Sequence, residues 1–327
     1  MNPFRGKDTS DATRPAREKR AKDVRIAALR RFAISITVFN VLGYLWLGFE
    51  QPWLWPVMAV GTAYATELLL ESVSAWAERR PPGYRGHGLK GLVDYLLPAH
   101  ITGLAVNMLL YANAQAWLMI FAVAVAVGQK AILRAPINGK IRHFMNPSNF
   151  GIVAALLLFR WVSIAPPYEF TENVGSATRW IIPAAILISG TVLNAQLTKK
   201  MPLIGGLVLA WAGQAVLRSL LFGTAWRPAL LMMTGTAFVL FVNYMVTDPG
   251  TTPVRRRDQV IFGAGVGVAY GVLMAMHIVY GLFFALVIVC TVRGAYHWGK
   301  ALRKSVRRAD RKAVVQAQVP ATVAQAG

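Results

Sequence analysis

The sequence predicts an all-α fold, a polytopic membrane helical bundle of about ten transmembrane helices with some broken or re-entrant elements. Three observations predict it. The mean hydropathy is +0.44, and only 15% of the 327 residues are charged, which is little for the surface of a water-soluble chain. Apolar runs of bilayer-spanning length fill the space between short charged blocks. Basic residues gather on alternate connections between these runs, as in membrane proteins of fixed orientation.

The apolar runs give the position of each helix. Most are close to the roughly 20 residues that cross a hydrocarbon core. The predicted spans are residues 32–49, 53–74, 91–111, 116–134, 148–164, 180–197, 202–222, 228–246, 259–276 and 278–293.

The distribution of positive charge predicts the orientation. If the N-terminus is cytoplasmic, all but four of the 35 Lys and Arg residues fall in cytoplasmic segments. The exceptions, toward the outer side, are Arg160, Arg179, Arg218 and Arg227. The positive-inside rule therefore predicts a multi-pass protein of the inner (plasma) membrane with both termini in the cytoplasm.

The formal net charge of +21 bears on possible partners. In a soluble protein this charge would suggest nucleic acid. Here the basic residues flank apolar segments, so we expect membrane lipid, and not nucleic acid, to be their partner. The domain prediction follows: residues 1–31 form a basic cytoplasmic arm, 32–297 a transmembrane domain, and 298–327 a basic and then flexible cytoplasmic tail.

Cysteine content limits the redox chemistry. The single cysteine, Cys290, excludes a disulfide framework and a cysteine-ligated iron–sulfur cluster within one copy of the chain. No spacing of ligand residues predicts a metal site.

Ionisable residues inside spans are costly and therefore indicate candidate sites. Glu67 and Glu71 lie one turn apart in the second span, and Asp94 and His100 lie in the third. Two interpretations stay open for Glu67 and Asp94. They pair with nearby cations for structural reasons, or they bind a cation or carry protons. On the second interpretation Glu67, Asp94 and His100 form an ion or proton path.

One cytoplasmic loop, residues 142–151, interrupts the bundle and is called the N-P loop. Pro147 prevents a normal helix start and biases Asn146 away from helical angles. Asn146, Ser148 and Asn149 can cap freed backbone groups. Because non-helical backbone at membrane depth needs cover from protein or a polar cavity, the loop predicts a re-entrant or broken helix.

A second cytoplasmic loop, residues 247–253, has similar chemistry and is called the T-D-P loop. Thr247 and Asp248 precede Pro249, and a block of three arginines follows at 255–257. A plain turn with a helix cap would explain either loop taken alone.

Two further segments concern helix ends and helix packing. On the outer side, small residues precede Thr178, and Ser176 or Thr178 is placed to cap the sixth span. In the ninth span Gly263, Gly267 and Gly271 fall four residues apart. They predict close helix packing and not a dinucleotide-binding loop, because no strand precedes them.

Together these segments resemble the family of RnfD and NqrB, membrane subunits of the Rnf complex and of the sodium-translocating NADH:quinone reductase. The likeness covers roughly residues 85–295. It rests on the N-P-x-x-F-G sequence at 146–151, the segment ending in Thr178, and T-D-P at 247–249. The amino-acid sequence of the N-P loop most resembles a branch of this family that includes the enediyne biosynthesis protein UnbU.

The resemblance implies a flavin. In RnfD and NqrB a threonine of a D-x-x-S-G-A-T motif carries FMN through a phosphoester bond. Thr178 takes the threonine position here, while Glu172 replaces the aspartate and Gly175-Ser176 reverses the Ser-Gly order. The resemblance therefore implies FMN or riboflavin, covalent at Thr178 or bound without attachment. The implied cofactor-binding residues are Thr178, Ser176, Arg179, Asn146, Pro147, Asn149, Thr247 and Asp248.

Three functions follow as alternatives. The first is a flavin-carrying subunit that passes electrons with partner proteins, with or without coupled movement of ions or protons. It would not be a complete enzyme alone, because it has no nicotinamide site and too few cysteines for an iron–sulfur relay. The second is a flavin-free transporter or permease for a small molecule or secondary metabolite. The third is a membrane anchor of a biosynthetic assembly.

Overall fold

The structure, a computed structural model, describes residues 9–86, 88–166, 170–176 and 178–317. Helices dominate these residues, as the sequence predicts. The helices are α1 (Thr9–Leu42), α2 (Trp55–Ala77), α3 (Gly88–Leu109), α4 (Ala116–Ile132), α5 (Pro147–Leu158), α6 (Thr178–Val192), α7 (Met201–Phe222), α8 (Trp226–Leu231), α9 (Thr236–Leu240), α10 (Arg256–Ala275) and α11 (Gly281–Ala317).

Two small antiparallel ribbons supplement the helices. Strand β1 (Leu110–Tyr111) pairs with β4 (Ser163–Ile164), and β2 (Arg134–Ile137) pairs with β3 (Lys140–His143). Wider π-helical turns continue three of the helices, at Gly43–Leu47, Leu193–Thr198 and Phe241–Met245. The β2–β3 hairpin leads directly into the N-P loop.

Six of the described helices are long and apolar enough to cross a membrane by length and composition. A seventh is possible if the pair Trp226–Thr234 and Thr236–Met245, bent by 64°, counts as one broken span. A helical bundle with six or seven helices able to span a membrane is thus confirmed, whereas a count of about ten is not supported. Glu67 and Glu71 lower the hydropathy of α2, and α4 and α5 are only 17 and 12 residues long.

Helix α11 extends into the segment expected to be a tail, residues 298–327. It runs without a break for 37 residues to Ala317, a length of about 55 Å at 1.5 Å per residue. Its basic part, beyond residue 298, is therefore helical up to Ala317, and residues 318–327 lie outside the described part. Helix α1 likewise covers most of the basic N-terminal arm. Residues 1–8 of the arm also lie outside the described part of the chain.

Helices α7 and α10 pack closely through the predicted glycines, which is confirmed. A Cβ atom on Gly267 would lie 2.6 Å from the Cβ of Ala210, and one on Gly271 would lie 2.8 Å from the Cβ of Gln214. A Cβ on Gly263 would overlap the carbonyl oxygen of Leu203. Backbones approach this closely only where side chains are absent.

We predict that Gly263→Ala lowers the free energy of unfolding by about 1–3 kcal/mol, because the new methyl group meets backbone that cannot move aside. Gly265 on the same helix is a matched control. A Cβ there would lie 3.6 Å from Val289, an ordinary contact. Gly265→Ala should be neutral or stabilise by up to about 1 kcal/mol through helix propensity. Thermal unfolding in detergent compares the two, and equal effects would contradict the packing interpretation.

Candidate functional site

A cavity of about 980 Å³ lies where the N-P loop and the T-D-P loop meet, and it is called the loop cavity. This volume is near the upper end for pockets that hold small molecules. Its polar lining includes Glu67, Lys130, His143, Asn146, Ser148, Asn194, Lys200, Asn243, Tyr244, Thr247 and Asp248. Apolar side chains such as Leu70, Ile101 and Phe241 complete the wall.

The helix cap predicted at Asn146 is present, but Pro147 does not disturb the start of α5 as expected. Asn146 is extended, and its Oδ1 accepts hydrogen bonds from the backbone N of Asn149 at 3.0 Å and the hydroxyl of Ser148 at 3.1 Å. Pro147 occupies the first helical turn, where no backbone N–H is needed. The Nδ2 of Asn149 donates to the carbonyl oxygen of Phe283 at 3.0 Å, which joins α5 to α11.

The T-D-P loop is a compact turn closed by its own side chains. The carboxylate of Asp248 accepts hydrogen bonds from the backbone N of Gly250 at 3.1 Å and from the Thr251 hydroxyl at 2.8 Å. The Thr247 hydroxyl donates to the carbonyl oxygen of Asn243 at 2.5 Å. Both predicted residues, Thr247 and Asp248, line the loop cavity.

The two loops contact each other and α11. Asn146 Nδ2 donates to the carbonyl oxygen of Met245, just before the T-D-P loop, at 2.9 Å. A Cβ on Gly250 would lie 3.3 Å from the His143 Nε2. Arg293 of α11 donates to the Thr251 carbonyl oxygen at 2.5 Å. The structure therefore brings together two motifs that lie far apart in the sequence, through a contact between Asn146 and Met245, which are 99 residues apart.

Sequence reasoning missed two buried asparagines in this wall. Asn194 and Asn243 lie in the π-helical turns after α6 and α9, and their exposed fractions are 0% and 2%. Asn194 Nδ2 donates to the carbonyl oxygens of Gly190 at 2.9 Å and Asn243 at 2.8 Å. The Oδ1 of Asn243 is buried without a hydrogen-bond partner. In the sequence, each asparagine is a polar amide inside a predicted membrane span, and this feature could have indicated a functional site.

Lys200 is the third missed residue. It lies between the π-helical turn that ends at Thr198 and helix α7, and its Nζ donates to the carbonyl oxygen of Pro253 at 2.6 Å. Its exposed fraction is 3%. Burial lowers the pKa of the Lys200 ammonium to about 8, with Asp248 acting in the opposite direction and Arg293 reinforcing it. Burial also lowers the pKa of His143, and the charge of Asp248 opposes this shift.

The three residues of the predicted ion or proton path do not share one site. Glu67 lines the loop cavity and forms an ion pair with Lys130. Asp94 pairs with Arg30 through two hydrogen bonds of 2.7 Å and lines a separate groove between α1 and α3. His100 hydrogen-bonds the hydroxyls of Thr37 at 2.8 Å and Tyr64 at 2.9 Å.

None of the described residues of the predicted outer segment lines the loop cavity. Thr178 begins α6, and the same helix first lines the cavity at Leu193, about 22 Å further along at 1.5 Å per residue. Ser176 and Arg179 are exposed, and the backbone N of Arg179 donates to the carbonyl oxygen of Gly175 at 3.0 Å. Ala177 and the Thr178 side chain lie outside the described part. The predicted cofactor residues thus divide into two separate groups.

Within the described ranges, no cluster of His, Cys, Asp and Glu is arranged to hold a metal ion. Comparison of the sequence with protein-family models and with curated proteins gave no match.

Proposed function

We propose that this chain is an integral membrane subunit that holds a flavin in the loop cavity and exchanges electrons with partner proteins. The observation that carries the proposal is the meeting of the N-P and T-D-P loops around one cavity large enough for a flavin. These are two of the three segments on which the family resemblance rests. The proposal includes the finer topology: about ten membrane segments, an inner-membrane location, and both termini on the side of the loop cavity.

The wall suits a flat ring system with polar edges. Asn243 lines the cavity, and its buried amide oxygen has no hydrogen-bond partner in the structure. Tyr244, which also lines the cavity, stacks with Phe32 at 5.2 Å between ring centroids. A bound flavin would supply electron-carrier chemistry that the side chains lack. The protein would bind and orient it and limit the access of water.

Thr178 belongs to the proposal as a second flavin position. A covalent FMN there would lie on the opposite face of the membrane from the loop cavity, beside the exposed Arg179. Intact mass before and after Thr178→Ala tests the attachment. A mass gain matching FMN that disappears in the variant supports it, and an unmodified wild-type mass counts against it.

Flavin content of the purified protein tests the cavity site. We expect flavin absorbance in wild-type protein and release of free flavin on denaturation. Asn243→Leu should reduce the retained flavin, while Gln196→Leu, at an exposed amide that does not line the cavity, should not. Protein that neither retains nor rebinds flavin would overturn the proposal.

A transporter for a small molecule is the second candidate, because two helices lose regular α-helical geometry beside the cavity. The π-helical turns Leu193–Thr198 and Phe241–Met245 both contribute to its wall. Interrupted helices commonly form substrate sites in transporters. Glu67 would then be the residue for ion or proton coupling, since it lines the cavity and Asp94 does not. Uptake by reconstituted vesicles without redox partners would favour this function.

A further inference from the structure

Lys200 is a buried cation with spare hydrogen-bonding capacity. An ammonium group has three N–H donors, and the structure gives the Lys200 Nζ one acceptor, the carbonyl oxygen of Pro253. Within the described residues, no carboxylate lies within ion-pair distance of it. The nearby Asp248 carboxylate instead accepts hydrogen bonds from its own loop. A buried charge of this kind is expensive unless an opposite charge accompanies it.

Asp248 is the one carboxylate of the cavity wall that forms no ion pair among the described residues, and it offsets only part of the wall's unpaired positive charge. Glu67 is paired with Lys130, while Glu71 and Glu78 are paired with Arg80. The wall also carries cations that form no ion pair among the described residues, and these are Arg25, Arg134, Lys199 and Lys200. The cavity therefore presents a surplus of positive charge with Lys200 as its most buried member.

We propose that the ligand of the loop cavity carries an anionic oxygen group, such as a phosphate ester, and that Lys200 binds this group. The inference rests on the proposed function in that it takes the loop cavity as the ligand site. Applied to a flavin, it assigns FMN and not riboflavin to the cavity. Charge-assisted hydrogen bonds to phosphate are stronger than neutral ones, and a dry environment strengthens them further.

Two titrations on purified full-length protein test the inference. The first compares FMN with riboflavin by quenching of flavin fluorescence, on flavin-depleted protein carrying Thr178→Ala to remove any covalent signal. We expect FMN to bind at least ~10-fold more tightly than riboflavin, and Lys200→Met to reduce this ratio to about one. Lys200→Arg should retain most of the preference because it keeps the charge.

The second titration separates charge from flavin chemistry. Inorganic phosphate, compared with chloride at equal ionic strength, should raise the thermal unfolding temperature of the wild type by about 2–4 °C. Lys200→Met should abolish the difference. Lys140→Met is the matched control, because Lys140 is exposed on the β2–β3 hairpin and does not line the cavity.

The outcomes distinguish the two proposals. Equal binding of FMN and riboflavin by the wild type overturns this inference and leaves the flavin proposal standing. A phosphate effect that depends on Lys200, without binding of either flavin, overturns the flavin proposal and supports the anion site. An equal phosphate effect in the wild type and Lys200→Met overturns the anion site.

Discussion

Lys130→Met should lower the free energy of unfolding by about 3 kcal/mol, because it leaves the Glu67 carboxylate without its partner in a largely buried position. The side chains of Lys130 and Glu67 are only 15% and 19% exposed. Their ion pair joins α4 to α2 in the wall of the loop cavity. Chemical or thermal unfolding in detergent measures the loss.

The double variant Glu67→Gln/Lys130→Met is the internal control for this pair. Removing both charges should restore most of the lost stability, since no uncompensated charge remains. Glu78→Gln is the exposed comparison. Glu78 is 61% exposed in its pair with Arg80, so this change should cost less than about 1 kcal/mol. A double variant as unstable as Lys130→Met would show that the loss comes from packing.

Asn146→Ala should lower the free energy of unfolding by about 2–4 kcal/mol, because it removes the cap of α5 and leaves the Met245 carbonyl oxygen without its donor. The residue is 4% exposed, so water does not readily replace the lost groups. Loss of this contact should also loosen the N-P loop from the segment before the T-D-P loop. Unfolding measurements give the stability, and proteolysis of the native protein reports the loosened loop.

Asn146→Ser separates the two roles of this side chain. Serine can still cap the helix, but it is too short to replace the amide donor to Met245. We expect Asn146→Ser to lower the free energy of unfolding, but by less than Asn146→Ala does. If Asn146→Ser were as damaging as Asn146→Ala, the cap would contribute little and the contact with Met245 would dominate.

Local features of the fold were predictable from the sequence. Pro147 after Asn146 predicts the start of α5, and the spacing of Gly263, Gly267 and Gly271 predicts a close helix contact. Both are properties of one segment and its immediate neighbours. The number of helices able to span a membrane was harder to predict. Hydropathy does not show where the glutamates of α2 or the short helix α5 are covered by neighbouring helices of the same chain.

The composition of the site was only partly predictable, because it depends on pairing between distant segments. Asp94 meets Arg30, which is 64 residues away in the sequence, and Glu67 meets Lys130, which is 63 residues away. Lys200 looks like an ordinary loop cation until the fold places it beneath Pro253. Asn194 and Asn243 likewise become a pair only when α6 and α9 pack together.

Helix α11 contacts both loops near the point where its basic part begins. Arg293 donates to Thr251 of the T-D-P loop, and a Cβ on Gly294 would overlap the ring of Phe144 in the N-P loop. One turn later, Trp298 donates from its indole nitrogen to the carbonyl oxygen of Arg134 at 2.9 Å. Because the helix continues unbroken from these contacts to Ala317, one continuous element joins the N-P loop and the T-D-P loop to the basic C-terminal segment.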